Sequence, residues 1–222
     1  MHFDEVRRRV EPIPLRLPQA PRALDPVLLS GPGGEPVRRP PIPQGPIRQG
    51  AVLVLLYPDA EGQALVLLTE RATGSIRHSG EISFPGGAVE MADESLAAAA
   101  LREAREEVGI DLAEVPLTVL GQLDPVEVQV SGFRLTPILV LAARRPSLRP
   151  DPREVAAIIE APVSHFLPTS PIETVTAERA GVRLRYGAYP VAGHLVWGAT
   201  ARILGQLGGL LGAMSDEALR PA

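Results

Sequence analysis

The residues best suited to chemistry lie in one short stretch, Arg102-Glu103-Ala104-Arg105-Glu106-Glu107-Val108-Gly109-Ile110. On a helix at 100° per residue, Ala97, Leu101, Ala104 and Val108 share one stripe. Glu103, Glu106 and Glu107 then cluster on roughly the opposite side, facing away from the core. Such clustering costs stability. Glu103 and Glu107 are like charges at i,i+4, unfavourable by roughly 0.2–0.5 kcal/mol. Glu106 and Glu107 sit at the negative end of the helix dipole, a further cost of about 0.3–1 kcal/mol each when exposed. Arg102 offsets part of this by pairing with Glu106, and a divalent cation would offset more. Magnesium takes oxygen ligands, usually one or two carboxylates completed by substrate phosphates and water. A carboxylate cluster beside the turn Pro85-Gly86-Gly87 therefore suits magnesium carried on a diphosphate. A solvated acidic helix contains the same Glu-Glu pair, so the pair alone does not separate the two readings. The spacing of the whole segment does.

The elements that must position these residues are legible from periodicity and punctuation. Residues 94–108 read as a helix closed by Gly109 at its C′ position. Ala51 to Tyr57 and Ala64 to Thr69 are continuous apolar runs of strand length, and Pro58, Asp59 and Gly62 between them mark a hairpin. Glu81 to Phe84 reads as a third strand, ended by the glycine turn. Strand signals return at Leu117–Leu123, Glu127–Val130 and Phe133–Leu141, with a mixed segment at Glu154–Leu167. Short strands follow near Glu173–Thr176 and Val182–Tyr186, and a final helix over about Trp197–Leu211. The expected class is α+β with a mixed sheet. Residues 1–47 stand apart, because eleven of the 24 prolines fall there. They read as a proline- and arginine-rich extended N-terminal arm before a domain at 48–222. Its Arg7-Arg8-Arg9 triplet suits either the solvated face of a short helix or a phosphate contact.

Residues 85–110 resemble the Nudix box, a glycine turn followed by a helix with an Arg-Glu-x-x-Glu-Glu-x-Gly core. Glu94 stands eight residues before Arg102, as the box expects. The usual box has five residues between its glycine and the first glutamate, whereas six separate Gly87 from Glu94. The coenzyme A diphosphatase branch is similar in carrying that insertion. Upstream, Leu67-Leu-Thr-Glu-Arg71-Ala and Arg77-His78-Ser79-Gly80-Glu81-Ile-Ser-Phe84 resemble the signature of the same branch. There Ile76 occupies the place of the usual arginine, which follows one position later as Arg77. Val130-Ser-Gly-Phe133, Thr136-Pro137, Glu154-Val155 and Val196-Trp197-Gly198-Ala199-Thr200-Ala201 resemble later landmarks.

The resemblance implies a Nudix fold, a mixed sheet sandwiched between helices, and hydrolysis of a diphosphate with magnesium (or manganese). It makes Glu103 and Glu107 the principal metal ligands, and Glu106 a further ligand or a candidate base. The Gly86 carbonyl is a contributor and Arg102 orients Glu106. Glu94, Glu127 and Glu154 are alternative bases. Arg71, Arg77 and His78 are candidates for the substrate phosphates, since arginine matches phosphate bidentately; ordinary surface or turn roles compete. Bound cations neutralise charge at the attacked phosphorus and lower the pKa of a water. The implied substrate is coenzyme A, cut to adenosine 3′,5′-bisphosphate and 4′-phosphopantetheine. A second reading is a hydrolase of ADP-ribose or a dinucleotide. A third is a Nudix-fold binding module without catalysis.

Composition bounds the rest. The net charge of −4 gives no pull toward nucleic acid or an anionic membrane. With no cysteine, thiolate sites and disulfides are excluded. His2, His78, His165 and His194 are scattered, with no metal-binding spacing. The charged N-terminus reads as no secretory signal, and a small-molecule partner in the cytoplasm is expected. The sequence allows a homodimer. Trp197 reads as a core residue.

Overall fold

The computed structural model describes residues 1–11, 13–30, 34–37, 45–72, 80–111, 114–128, 131–179 and 182–217. In chain order they comprise α1 (Phe3–Val10), β1 (Val27–Ser30), β2 (Glu35–Val37), β3 (Arg48–Pro58), β4 (Ala64–Arg71), β5 (Ile82–Ser83) and β6 (Gly86–Ala88). Then come α2 (Leu96–Val108), β7 (Leu117–Gln122), β8 (Val126–Val128), β9 (Phe133–Ala142) and β10 (Val155–Pro162). The chain closes with β11 (Glu173–Arg179), β12 (Val182–Val191), β13 (His194–Val196) and α3 (Gly198–Glu217). Single 3-10 turns lie at Arg22–Leu24 and Val163–Phe166.

Among the described residues the strands form a sheet of eight and a sheet of five. The larger runs β10-β4-β3-β9-β7, with β5, β6 and β8 added beside it. It is mixed: β3 and β9 are parallel from Arg48↔Phe133 to Leu56↔Leu141, and the other pairings are antiparallel. The unbroken apolar runs follow from burial on both faces. On β3, Val52, Val54 and Leu56 join the core shared with α1 and α3. The alternate residues Ala51, Leu53, Leu55 and Tyr57 join the core under α2. The sheet is thus sandwiched between helices, as expected.

The expected extended arm needs correcting where it is described. Phe3–Val10 is a helix, and Phe3, Val6 and Val10, at i, i+3 and i+7, are buried against α3 and the sheet. The arginine triplet occupies the other faces. Arg7 lies near Asp4 and Glu11, and Arg9 bonds Glu5 at 2.6 Å and the Leu211 carbonyl. This is the short-helix reading rather than a phosphate contact. β1 and β2 extend the smaller sheet, ordered β11-β12-β1-β2 with β13 beside β12. The arm's proline density begins only at Pro12 and does not oppose the short helix that the arginine triplet allowed. What it does not report is the tertiary burial that holds eight non-proline residues in one. Most of Gly31-Pro32-Gly33-Gly34 lies outside the described residues. Trp197 packs on Tyr186 with ring centroids 4.6 Å apart. No helix among the described residues is long and apolar enough to cross a membrane.

Candidate active site

The glycine turn meets the acidic helix because β6 is laid on β3, with Ala51↔Gly87 and Val52↔Gly86 in register. Gly86 has φ 153°, and a Cβ there would stand 2.4 Å from the Ala51 carbonyl oxygen. Only glycine fits. At Gly87 a Cβ would lie 2.6 Å from the Glu103 carboxylate, so that side chain is packed on the turn. The Gly86 N–H donates to Glu107 Oε2 at 3.2 Å. α2 is set by Ser95, whose Oγ accepts from Ala98 N at 3.1 Å, and by Gly109 in the left-handed conformation.

Glu107 departs from expectation. It is 5% exposed rather than facing away from the core. The buried side of α2 carries Ala100, Ala104 and Val108. Small alanines let the helix approach β3 and β6 closely, and Glu107, three residues beyond Ala104, is swept under the glycine turn. Burial is the main reason its carboxyl is pushed up to about 7. The Gly86 N–H and the charge of Arg71 oppose this, while Glu103 and Glu154 add to it. Glu103 is raised too, chiefly by burial, against the bond from Arg102. Glu106 is half-exposed at the helix surface.

Arg102 organises the loop over these groups. Its Nε and Nη2 donate to the two oxygens of Asp93 at 3.0 and 3.1 Å, a bidentate pair. Its Nη1 donates to Glu103 at 3.0 Å and Glu106 at 3.4 Å, and Nη2 also reaches the Ala88 carbonyl at 3.0 Å. Asp93 in turn accepts from Glu90 N at 2.8 Å, and the Arg102 bonds hold its carboxyl below the usual range. The loop acid facing the helix is therefore Asp93. Glu94 is exposed, with no hydrogen bond to another described side chain. Spacing carried the signal: five residues separate Gly87 from Asp93, the usual separation of the box. The extra residue falls after the acid that binds Arg102, not before it.

Glu154 was one of four candidate bases, and the structure brings it near the cluster. Asp151 N–H donates to the Glu107 carbonyl at 2.8 Å and Arg149 N–H to the Val108 carbonyl at 2.8 Å, capping the C-terminal end of α2. Ala72 N–H, next to Arg71, donates to the Glu154 carbonyl at 2.9 Å. Glu127 is exposed on β8, opposite Arg134. Arg77 and His78 lie outside the described residues. The cluster of Glu103, Glu106 and Glu107, flanked by Arg71, Arg102 and Glu154, offers only oxygen donors and balancing cations. Among the described residues no three acidic or histidine groups converge as a complete metal cage. The donor set fits a hard divalent ion that keeps water and substrate oxygens as its other ligands.

Residues 47–172 match the family model of the NUDIX domain. This chain belongs to the Nudix hydrolases. It is 39% identical over 160 residues to the uncharacterized Nudix hydrolase NudL of Photorhabdus laumondii, covering 72% of this chain and 83% of that one. It is 37% identical over 169 residues to the Salmonella heidelberg protein of the same description, covering 76% and 86%. A solved Nudix hydrolase of M. smegmatis, RenU, aligns over 88% of this chain and 96% of its own with a TM-score of 0.49 and 19% identity. The NUDIX match over residues 47–172 makes the α+β architecture a Nudix fold and the chain a Nudix hydrolase acting on phosphoanhydrides.

Proposed function

We propose that this Nudix hydrolase cleaves the diphosphate bond of coenzyme A, and of acyl-coenzyme A, in the cytoplasm, using magnesium or manganese. The observation that carries the metal-dependent half is Glu107, a carboxyl buried under the Gly86–Gly87 turn and destabilised in its charged form. Glu103 and Glu107 would hold the ion, with Glu106 and the Gly86 carbonyl completing the protein's share. Once bound, the metal supplies charge neutralisation at the diphosphate and a more acidic water. Asp93 fixes Arg102, and Arg102 restrains Glu103 and Glu106 in one orientation. Arg71, whose charge acts on Glu107, would meet a substrate phosphate, with Arg77 and His78 following six and seven residues later in the sequence. Glu154 and Glu106 are the groups best sited to take a proton from the attacking water. Glu94, exposed and unbonded, supports that role less. The coenzyme A half rests on the signature from Leu67 to Phe84 and on the one-residue insertion before Arg102.

Incubating purified protein with magnesium and coenzyme A in oxygen-18 water tests the reading. Adenosine 3′,5′-bisphosphate and 4′-phosphopantetheine are expected, with the label on one of them. Cleavage of ADP-ribose or a dinucleotide in preference to coenzyme A would move the substrate elsewhere within the family. If none of these is cut with magnesium or manganese, the catalytic reading fails and a binding module remains.

A further inference from the structure

Sheet edges expose unpaired N–H and C=O groups, and soluble proteins usually blunt them. Among the described residues three of the four strands that end the main paths of the two sheets are blunted. β10 carries an irregularity between Val155 and Ala157, and β7 one between Val119 and Gly121. β2 is three residues long and contains Pro36, which has no N–H to offer. The fourth edge, β11, is different. Its seven residues Glu173–Arg179 pair with β12 without a register shift, and the strand contains no proline. The sheet behind it is apolar on one face. Ala177, Leu184, Leu28 and Val37 form a row across four strands. None of them is fully buried, and Val37 and Val182 are each 41% exposed.

We infer that a second copy of this chain docks on β11, the two strands pairing antiparallel about a two-fold axis at Thr176. The strand's sequence is complementary to itself in that register, as a closed two-fold interface requires. Glu173 of each copy stands opposite Arg179 of the other, Thr174 opposite Glu178, Val175 opposite Ala177, and Thr176 opposite Thr176. A slip of one residue sets Glu173 against Glu178 and turns apolar positions toward polar ones, so this register is selected. The two smaller sheets become continuous, and the apolar row ending at Ala177 in each copy meets Val175 and Tyr186 of the other. A seven-residue strand pairing is a small interface, so association depends on protein concentration.

The protein contains no cysteine, so Thr176→Cys introduces its sole thiol at an exposed position. Under mild oxidation this variant should cross-link into a covalent dimer, because opposed residues bring their Cβ atoms within disulfide reach. Thr174→Cys should remain largely uncross-linked alone, yet join Glu178→Cys when the two are mixed. Thr176→Lys, which sets two ammonium groups opposite each other, should weaken association by roughly fivefold in sedimentation velocity and leave turnover per chain unchanged. A wild-type protein that sediments as a monomer at every concentration overturns the inference. So does a dimer in which Thr174→Cys cross-links as fast as Thr176→Cys, or one that Thr176→Lys does not weaken.

Discussion

Replacing Glu107 by glutamine separates the site's chemistry from its contribution to stability. Glu107 is 5% exposed, and its carboxyl is pushed from the ordinary 4.5 to about 7. A rise of that size corresponds to a penalty of about 3 kcal/mol on the charged form. Because the folded-state value is raised, the benefit of carrying the proton is complete below pH 4.5 and is lost as pH rises through about 7. Glutamine keeps an oxygen to accept from the Gly86 N–H, and its amide can donate toward the neighbouring carboxylates. In chelator, thermal unfolding of Glu107→Gln should match wild type near pH 5. It should exceed wild type at pH 8 by on the order of 5–10 °C, given the few degrees that each kcal/mol moves a domain of this length. With magnesium the order should shrink or reverse, since wild type alone regains the lost stability through binding. Turnover of the variant should fall by about 10²-fold or more if Glu107 holds the metal as proposed, because such a ligand is worth several kcal/mol. A variant no more stable than wild type at pH 8 in chelator would refute the buried-charge argument, and near-normal turnover would refute the ligand assignment.

Gly87→Ala should leave melting within about 2 °C of wild type while lowering kcat, because its Cβ lies 2.6 Å from the flexible Glu103 carboxylate, not from backbone. Gly86→Ala should instead destabilise the fold, since its Cβ meets the Ala51 carbonyl at 2.4 Å and the φ of 153° is costly for alanine; thermal melts of the pair distinguish them. Asp93→Asn should reduce kcat and magnesium affinity by about 10–100-fold, through loss of the group that orients Arg102. Asp93→Glu should recover part of both, whereas Glu94→Gln should do little; kinetics over a magnesium titration compare the three.

Local chemistry made much of this protein legible before any fold was known. The paired apolar runs at Ala51–Tyr57 and Ala64–Thr69 became β3 and β4, because a strand buried on both faces has no polar positions to interrupt it. Gly109 closed α2 as its C-terminal cap, which depends only on neighbouring residues, whereas the start at Leu96 behind the Ser95 cap falls two residues later than the sequence suggested. The box spacing brought Glu103, Glu106, Glu107 and the glycine turn into one list. Three features needed the tertiary structure. Glu107 is buried because α2 descends onto β6, and helical periodicity alone turned it outward. Asp93, not Glu94, engages Arg102, because the loop's path decides which of two adjacent acids faces the helix. The N-terminal residues fold against α3 because the distant surfaces of α3 and the sheet complete the burial of Phe3, Val6 and Val10. Periodicity, capping and motif spacing are written over a few residues. Burial and the choice between neighbouring side chains depend on segments tens to hundreds of residues apart, and only the assembled fold brings those together.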